Sequence, residues 1–346
     1  MIKIKPGIAT AIVIGAGRMG RQHISNIRNV GLEVVGVFDK NTSNLKFAEE
    51  ESHLDSKFVF EDFKSLCESC VPDLAVIATT SPSHCEYGVE LARRGVKFLM
   101  IEKPLGTSIA ECEKLFEECN ASGTRVAVNH MFRFLPIVLK IKELLTSELL
   151  GGFTSLSVNG INSGIAMMGS HCVDLFEFFS ESPSTTITAW LNKSDERNPR
   201  GNEYSDYGGL AVVHSSKGHR LVMDFPIDQG QGREMLACGR NGMIRFDLDK
   251  ATISGVARRE CDRTLPLTRS NLENVKIAFD LGLTDYEAAT VTHIKNLISG
   301  GQIVGLEEAT RIVSVLVAAH NSSNQGHSPI QISDSRKFKS QVFTWA

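Results

Sequence analysis

The sequence contains no apolar run that approaches the roughly 20 residues needed to span a membrane. It also contains no block of lysine or arginine, and its formal net charge is −3, so we expect no nucleic-acid partner. Residues 1–15, MIKIKPGIATAIVIG, include no small-residue cleavage site and lead directly into a strand, which argues against a signal peptide. These absences are typical of a soluble globular protein that has no membrane or nucleic acid as partner.

Cysteine is present but scattered, with eight residues spread between positions 67 and 261. The closest pair, Cys67-x-x-Cys70, has no second pair that would complete a zinc site. It lies in a helical pattern rather than after a strand, which also argues against a redox motif. We therefore expect no bound metal, and we expect a reduced protein of the cytoplasm.

A glycine-rich segment, GAGRMG at residues 15–20, lies between a short apolar strand and a helical pattern. This is G-x-G-x-x-G in the strand, turn and helix context that gives it meaning. Gly15 permits the tight turn, Gly17 lets a pyrophosphate approach the backbone, and Gly20 lets the helix pack close to the strand. The free N–H groups at the helix start then bind the phosphates. The predicted cofactor contacts here are Gly15, Gly17, Arg18, Met19 and Gly20.

The second predicted strand, at residues 32–38, ends on Asp39, nineteen residues after Gly20. A carboxylate at this position holds the diol of an adenosine ribose. Because the same carboxylate would repel a 2′-phosphate, Asp39 favours NAD over NADP as the cofactor. Lys40 beside it softens that preference.

Strands and helices continue to alternate up to residue 128, which predicts six parallel strands in a doubly wound α/β unit. The fourth strand ends in the loop TTSPSH at residues 79–84. This loop emerges at the carboxyl edge of the sheet, so Thr79, Ser81 and His84 are candidates to line the cofactor. His84 is equally consistent with a helix-start residue that makes a capping bond.

The segment VKFLMIEKPLG, at residues 96–106, reads as a buried parallel strand that ends on a charged pair, Glu102 and Lys103. Charges at this point are poorly placed for stability but well placed for chemistry, because ligands of open α/β sheets sit at the carboxyl ends of strands. Pro104 biases Lys103 toward extended geometry. The alternative is a strand-end ion pair followed by a turn proline.

After residue 129 the pattern changes to short alternating strands separated by turns such as Ser216-Lys217-Gly218. This predicts an α+β domain with a large, mostly antiparallel open sheet. A chain of 346 residues is too long for one ordinary core, so two domains are expected. We predict an NAD-binding Rossmann domain at 1–128 and a substrate-binding and oligomerisation domain at 129–346.

The chain resembles the Gfo/Idh/MocA family, which includes glucose–fructose oxidoreductase and inositol 2-dehydrogenase. The resemblance rests on the segments at 15–20 and 101–106, on Arg133, and on Gly169-Ser170-His171-x-x-Asp174. It implies an NAD(H)-dependent oxidoreductase that transfers hydride between nicotinamide and a secondary alcohol or ketone of a sugar-like substrate. A cyclitol, a nucleotide sugar or an amino sugar would fit. It also implies a homodimer or homotetramer that forms through the open sheet.

The resemblance assigns roles to individual residues. Lys103 would orient the substrate hydroxyl and stabilise alkoxide charge, and His171 would accept the proton. The alternative for His171 is a helix-start histidine bonded to backbone, and Asp174 either holds His171 or is structural. Glu102 and Lys103 are further candidates for cofactor contact, and the substrate candidates are Arg133, Asn159, Asn162 and Asp174.

One departure from the family pattern lies four residues before His171, where family dehydrogenases usually carry an aspartate and this chain has Met167. A thioether cannot accept a proton. Two other interpretations therefore stay open, an NAD-recycling glycosidase and a non-catalytic NAD-binding regulator, and a smaller possibility is a reductase of imines or pigments. Residues 333–346 are a mostly polar stretch that includes Val-Phe-Thr-Trp near its end, and they either pack on a neighbour or fray.

Overall fold

The computed structural model describes Gly7 and residues 9–160, 162–230, 232–269 and 271–345. Within these ranges no helix is both long and apolar enough to cross a membrane. The chain forms two compact units, one from residues 1–131, 286–313 and 339–346 and the other from 132–285 and 314–338. Both units are discontinuous in sequence, whereas the predicted domains were continuous ranges.

Strands and helices are numbered along the chain. The strands are β1 (Thr10–Ile14), β2 (Glu33–Phe38), β3 (Val59–Phe60), β4 (Leu74–Ile77), β5 (Phe98–Ile101), β6 (Arg125–Val128), β7 (Phe153–Asn159), β8 (Ser184–Lys193), β9 (Tyr207–Ser215), β10 (Arg220–Phe225), β11 (Glu234–Gly239), β12 (Gly242–Asp247), β13 (Thr252–Arg258), β14 (Asn274–Asp280) and β15 (Ile330–Gln331). The α-helices are α1 (Arg18–Asn29), α2 (Thr42–Ser52), α3 (Phe63–Ser69), α4 (His84–Arg93), α5 (Ile109–Ser122), α6 (Pro136–Thr146), α7 (Ser170–Ser180), α8 (Tyr286–Ser299) and α9 (Leu306–Asn324).

The first unit is built on a parallel sheet in the order β3-β2-β1-β4-β5-β6. The predicted doubly wound sheet is therefore confirmed. The strand order reverses between β1 and β4, and ligands of such folds bind at this switch point, outside the carboxyl ends of the strands. The loops that follow β1, β2, β4 and β5 carry the predicted cofactor residues, and they all leave the sheet at this edge.

Apolar residues of β1 and α1 form the centre of the first unit. Residues 11–14 of β1 are at most 1% exposed, and Ile24 and Ile27 of α1 are fully buried. Ile294 and Leu297 of α8 belong to the same apolar core. A helix far along the chain therefore completes this unit, although the sequence pattern assigned it to the other domain.

The second unit is built on a nine-stranded sheet in the order β14-β13-β12-β11-β7-β10-β9-β8-β15. Neighbouring strands are antiparallel except for the parallel pair β7 and β10. The predicted mostly antiparallel open sheet is confirmed. The edge strands β14 and β15 were not predicted. β15 has only two residues, and β14 exposes all but one of its residues although Val275, Ile277 and Phe279 alternate along it.

Two local features of the second unit differ from the predicted pattern. The helix predicted over 132–145 is a short helical turn followed by α6, because Pro136 takes the first helical position and Leu135 before it is extended. The segment before His171 is a π-helical turn, Gly164–Gly169, that continues into α7. Such turns are uncommon and occur frequently at functional sites.

Candidate active site

The glycine turn after β1 contains two glycines that the fold requires and one that faces open space. Gly15 has φ +95°, and a Cβ there would lie 2.8 Å from the carbonyl oxygen of Ala78. A Cβ on Gly20 would lie 1.8 Å from the carbonyl oxygen of Gly15. A Cβ on Gly17 would meet no atom within 4 Å. The backbone at Gly17 is therefore open to a ligand.

The start of α1 is arranged to receive an anion. Gly17 is its N-cap and supplies no side-chain cap, and the first turn contains no acidic residue. Arg18 is exposed and Met19 is half-buried, so the amides at this end are accessible. Because a helix N-terminus carries partial positive charge and unpaired N–H groups, this end fits a pyrophosphate.

Asp39, half-buried at the end of β2, is bonded to the glycine turn. Its Oδ2 accepts hydrogen bonds from the Ala16 backbone N–H at 2.7 Å and from Asn44 Nδ2 at 3.0 Å. Its Oδ1 accepts from the Asn41 backbone N–H at 2.8 Å. These contacts hold the carboxylate beside the turn, with the exposed Lys40 next to it.

The loop after β4 directs two of its three predicted residues into the protein. Ser81 and His84 are each 1% exposed, and Ser81 Oγ donates to the Trp345 carbonyl oxygen at 2.8 Å. The His84 ring lies between two carbonyl oxygens, 3.0 Å from that of Thr79 and 2.9 Å from that of Pro104. Thr79 is half-buried. His84 thus joins the loops after β4 and β5, and Ser81 joins the first of these loops to Trp345.

The charge on His84 follows from its burial. Burial lowers the pKa of the ring, and this outweighs the two carbonyl contacts, which raise it. A neutral imidazole has one N–H, so His84 donates to one of the two carbonyls at a time.

Glu102 lies in a buried network that the sequence pattern did not reveal. Its Oε1 lies 2.7 Å from His23 Nε2 and accepts a hydrogen bond from Asn129 Nδ2 at 2.8 Å. Burial alone would raise the pKa of Glu102, but His23, Asn129 and the charge of Lys103 together lower it to about 2. Glu102 is therefore a carboxylate bound to protein groups. The only signal for His23 was its place on the sheet-facing side of α1, three residues after Gly20.

Lys103 differs from its neighbours in exposure. It is half-buried, whereas residues 101–102 and 104–109 are buried. The Lys103–Pro104 peptide bond is cis. The structure thus places a partly accessible cation between two buried stretches at the carboxyl end of β5. It belongs to the first unit.

His171 and the predicted substrate residues Arg133 and Asp174 belong to the second unit. The His171 ring, 4% exposed, stacks on Phe132 with the ring centres 4.1 Å apart. Arg133 Nε donates to Asp174 Oδ2 at 3.1 Å, and Arg133 Nη2 donates to Asp174 Oδ1. Since both residues of this pair are almost fully buried, their ion pair fixes α7 against the turn that carries Phe132.

The place of the missing family aspartate is bordered by a carboxylate from elsewhere in the second unit. Asp206, just before β9, accepts hydrogen bonds from the backbone N–H of Ala166 at 2.9 Å and of Met167 at 2.8 Å. Arg200 Nη1 lies 3.7 Å from Met167 Sδ. No motif pointed to Asp206 or Arg200, because loop residues distant in sequence supply both.

The two predicted substrate asparagines have different environments. Asn162 Nδ2 donates to Ser194 Oγ at 2.8 Å and to the Ile227 carbonyl oxygen at 3.2 Å, so it joins two loops. Asn159 is exposed at the end of β7. Asn162 is half-buried, so Asn159 is the more exposed of the two.

The cysteine pair with the shortest spacing lies in and beside one helix. Cys67 is buried in α3, and Cys70 is the C-cap of that helix. Across the part of the chain that the structure describes, no group of three or more His, Cys, Asp or Glu could hold a metal ion.

Sequence comparison finds relatives for the part of the chain that contains the glycine turn and the strands around it. Residues 9–130 match the model of the oxidoreductase family with an NAD-binding Rossmann fold. The inositol 2-dehydrogenase/D-chiro-inositol 3-dehydrogenase of Lacticaseibacillus casei is 31% identical over 157 residues, which are 44% of this chain and 45% of that protein. The inositol 2-dehydrogenase of Acidothermus cellulolyticus is 35% identical over 142 residues, 40% of this chain and 41% of that protein. The chain thus matches less than half the length of these curated relatives.

Structure comparison extends the likeness to the whole fold. An oxidoreductase from Agrobacterium radiobacter, solved with NAD⁺, L-tartaric acid and magnesium, has a TM-score of 0.76 at 16% identity and covers 94% of this chain and 99% of its own. The transcriptional regulator Gal80p from Kluyveromyces lactis has a TM-score of 0.75 at 12% identity, with 95% and 92% covered. An oxidoreductase and a regulator thus share this fold, so the fold alone does not decide the function.

Proposed function

We propose that this chain, whose residues 9–130 match the Gfo/Idh/MocA family of oxidoreductases, transfers a hydride between NAD(H) and a secondary alcohol or ketone of a sugar-like substrate. The observation that carries the proposal is the glycine turn, which is open at Gly17 and bonded to the carboxylate of Asp39. The partly exposed Lys103 lies at the same edge of the sheet, where ligands of this fold bind.

The residues of the first unit would hold the dinucleotide. The amides at the start of α1 would bind the pyrophosphate, and Asp39 would accept hydrogen bonds from the ribose diol, which favours NAD over NADP. Thr79 would border the nicotinamide half. When bound, the cofactor supplies the hydride acceptor or donor, and the protein supplies binding, orientation and electrostatics.

Two side chains would handle the proton. Lys103 would donate a hydrogen bond to the reacting oxygen and stabilise negative charge on it, and His171, whose unperturbed pKa of about 6.5 suits neutral pH, would accept the proton. We now assign Glu102 to positioning Lys103 rather than to cofactor contact, because its carboxylate is bound by His23 and Asn129.

The remaining assignments follow from the contacts within each unit. Arg133 and Asp174 would position the helix of His171, because they bind each other. Asn159 stays a candidate for substrate contact, since its side chain is accessible. The inositol dehydrogenases among the relatives favour a cyclitol or a sugar over other alcohols.

The test is reduction of NAD and, separately, of NADP by the purified protein against a panel of cyclitols, sugars, nucleotide sugars and glycosides. We expect turnover with NAD and at least one cyclitol or sugar. Lys103→Ala should lower kcat by orders of magnitude while the Kd for NADH changes little. Near wild-type turnover by this variant would remove Lys103 from the mechanism.

A non-catalytic NAD-binding regulator is the second candidate, and Met167 favours it, because a thioether stands where family dehydrogenases carry an aspartate. The retained Lys103 and His171 argue against it, since neither is needed to bind a dinucleotide. NADH binding by calorimetry, with no turnover across the panel, would support the regulator. Hydrolysis of a glycoside without net NADH formation would support the NAD-recycling glycosidase instead.

We also propose that the open face of the nine-stranded sheet joins two or four copies of the chain. Val212 of β9 lies opposite Val222 of β10 on this face, and both are half-buried although the residues beside them in sequence are buried. Leu236 of β11 lies on the same face. Sedimentation velocity of the protein and of Val222→Lys should show an oligomer that the variant weakens.

The free cysteines favour a reducing cytoplasm as the compartment of this protein.

A further inference from the structure

The loop after Lys103, residues 104–107, is bound through each of its carbonyl oxygens. Two of the four partners come from α4, and two come from residues 339–345, which we call the strap. In order along the loop the partners are His84 Nδ1 at 2.9 Å, Cys85 Sγ at 3.4 Å, Trp345 Nε1 at 3.1 Å and the Phe343 backbone N–H at 3.0 Å.

Trp345 connects this loop to the loop after β4. Its ring is 1% exposed and stacks on Phe343 with the ring centres 4.4 Å apart. Its Nε1 donates to the Gly106 carbonyl oxygen, and its own carbonyl oxygen accepts from Ser81 Oγ. One residue of the strap therefore holds both loops that flank the predicted nicotinamide position.

The other end of the strap is also fixed within the first unit. The Lys339 carbonyl oxygen accepts a hydrogen bond at 2.9 Å from the backbone N–H of Ala110, in the first turn of α5. Contacts of Lys339, Phe343 and Trp345 thus attach this segment to its own unit. This segment is part of the unit that carries Lys103.

The loop has little room to move beneath these contacts. A Cβ on Gly106 would lie 2.9 Å from Cys85 Sγ and 3.1 Å from Cys112 Sγ. On the other side of Lys103, Glu102 is held by His23 and Asn129. The backbone on both sides of the lysine is therefore anchored by buried groups, and the strap supplies half of the carbonyl partners on one side.

We propose that Trp345 is a positioning residue for Lys103, acting through loop 104–107, and this rests on the proposed function wherever turnover is the readout. Loops that carry functional groups depend on the scaffold around them for their position. A misplacement of about 1 Å in an active site can lower the rate about 100-fold. The bond from Trp345 Nε1 is one of the contacts that prevents such a shift here.

Trp345→Phe tests the proposal because it keeps an aromatic ring for Phe343 and removes the N–H that binds Gly106. The matched control is Trp190→Phe, at the other of the two tryptophans, which is 41% exposed on β8 of the second unit. We expect Trp345→Phe to lower kcat about 10-fold or more and to shift its pH profile, with the Kd for NADH within about twofold. Trp190→Phe should leave kcat, its pH profile and the Kd for NADH unchanged. A folded Trp345→Phe protein with wild-type kcat and pH profile would overturn the proposal.

Hydrogen exchange separates this proposal from the proposed function, because it needs no substrate. We expect exchange of the backbone amides of residues 105–107 to rise at least 10-fold in Trp345→Phe and to stay unchanged in Trp190→Phe. Unchanged exchange in Trp345→Phe would refute the proposed role of Trp345. Absence of turnover by the wild-type protein would refute the enzyme assignment alone. If Trp345→Phe does not fold, Ser81→Ala is the second test, because it removes the bond to the Trp345 carbonyl and should loosen the same loop. Exchange equal to that of the wild type in Ser81→Ala would then refute the proposed role of Trp345.

Discussion

His23 Nε2 and Glu102 Oε1 lie 2.7 Å apart inside the first unit, and both residues are buried. Glu102 immediately precedes Lys103, so this contact fixes the backbone on which the lysine is carried. The network also keeps a carboxylate within electrostatic reach of the lysine ammonium. Removing His23 would leave a buried carboxylate with fewer partners, which is costly.

The lowered pKa of Glu102 predicts a pH dependence of stability. A pKa lowered from 4.5 to about 2 in the folded state stabilises the protein above about pH 4.5, and this stabilisation is lost as the pH falls toward 2. Glu102→Gln should therefore be less stable than the wild type at pH 6, with the difference shrinking between pH 4.5 and pH 2. Urea unfolding midpoints at several pH values measure this. A difference that is constant with pH would contradict the assigned network.

Alanine substitutions at Gly17 and at Gly20 should have different effects, the first on NADH binding and the second on the stability of the fold. Gly20→Ala should destabilise the fold by about 1–3 kcal/mol or more, because its Cβ would collide with the Gly15 carbonyl oxygen. Gly17→Ala should change stability by less than about 1 kcal/mol, since Gly17 is an N-cap with open space around it. It should instead weaken NADH binding at least tenfold. Calorimetry measures NADH binding by each variant, and thermal unfolding measures its stability. Equal effects of both variants on binding and on stability would contradict the roles assigned to Gly17 and Gly20.

Asp39 should set the choice between NAD and NADP. Asp39→Ala removes the carboxylate that would repel a 2′-phosphate, so the ratio of kcat/KM for NAD over NADP should fall about tenfold or more. Lys40→Ala, at the exposed neighbour, serves as the control and should raise the same ratio slightly. A wild-type protein that already prefers NADP would show that the interpretation of β2 is wrong.

The effects of substitutions at Arg133 and Asp174 on stability should be coupled, because the two side chains form a buried ion pair. Arg133→Met leaves the carboxylate of Asp174 buried without the guanidinium that binds it and should cost about 3–5 kcal/mol of unfolding free energy. The double variant Arg133→Met, Asp174→Leu should cost much less than the two single changes added together. Denaturant unfolding of the four proteins measures the coupling. Additive effects would mean that each residue stabilises the unit independently.

Local patterns were enough to predict the parts of the first unit that are contiguous in sequence. The turn at residues 15–20 and the position of Asp39 both follow from short-range rules. Helix caps are equally local, since Asp62 accepts from the Ser65 backbone N–H at the start of α3 and Ser108 accepts from that of Glu111 at the start of α5.

Contacts between distant segments could not be predicted in this way. His23 meets Glu102 across 79 residues, and Trp345 meets Gly106 across 239. Periodicity reports which residues are buried but not which buried residue is opposite another. The same reason explains why Asp206 was missed, since only the fold brings it to the backbone of Met167.

The route of the chain through the first unit has a consequence for how the protein is made. Helix α8 fills the core against α1, yet a ribosome adds it only after the strands β7 to β14 of the other unit have been synthesised. The nascent segment of residues 1–131 therefore leaves Ile24 and Ile27 without the cover that Ile294 and Leu297 later supply. Shortened chains that stop before α8 should aggregate when expressed, and this first unit should reach its native form only after the strap at residues 339–345 has been synthesised.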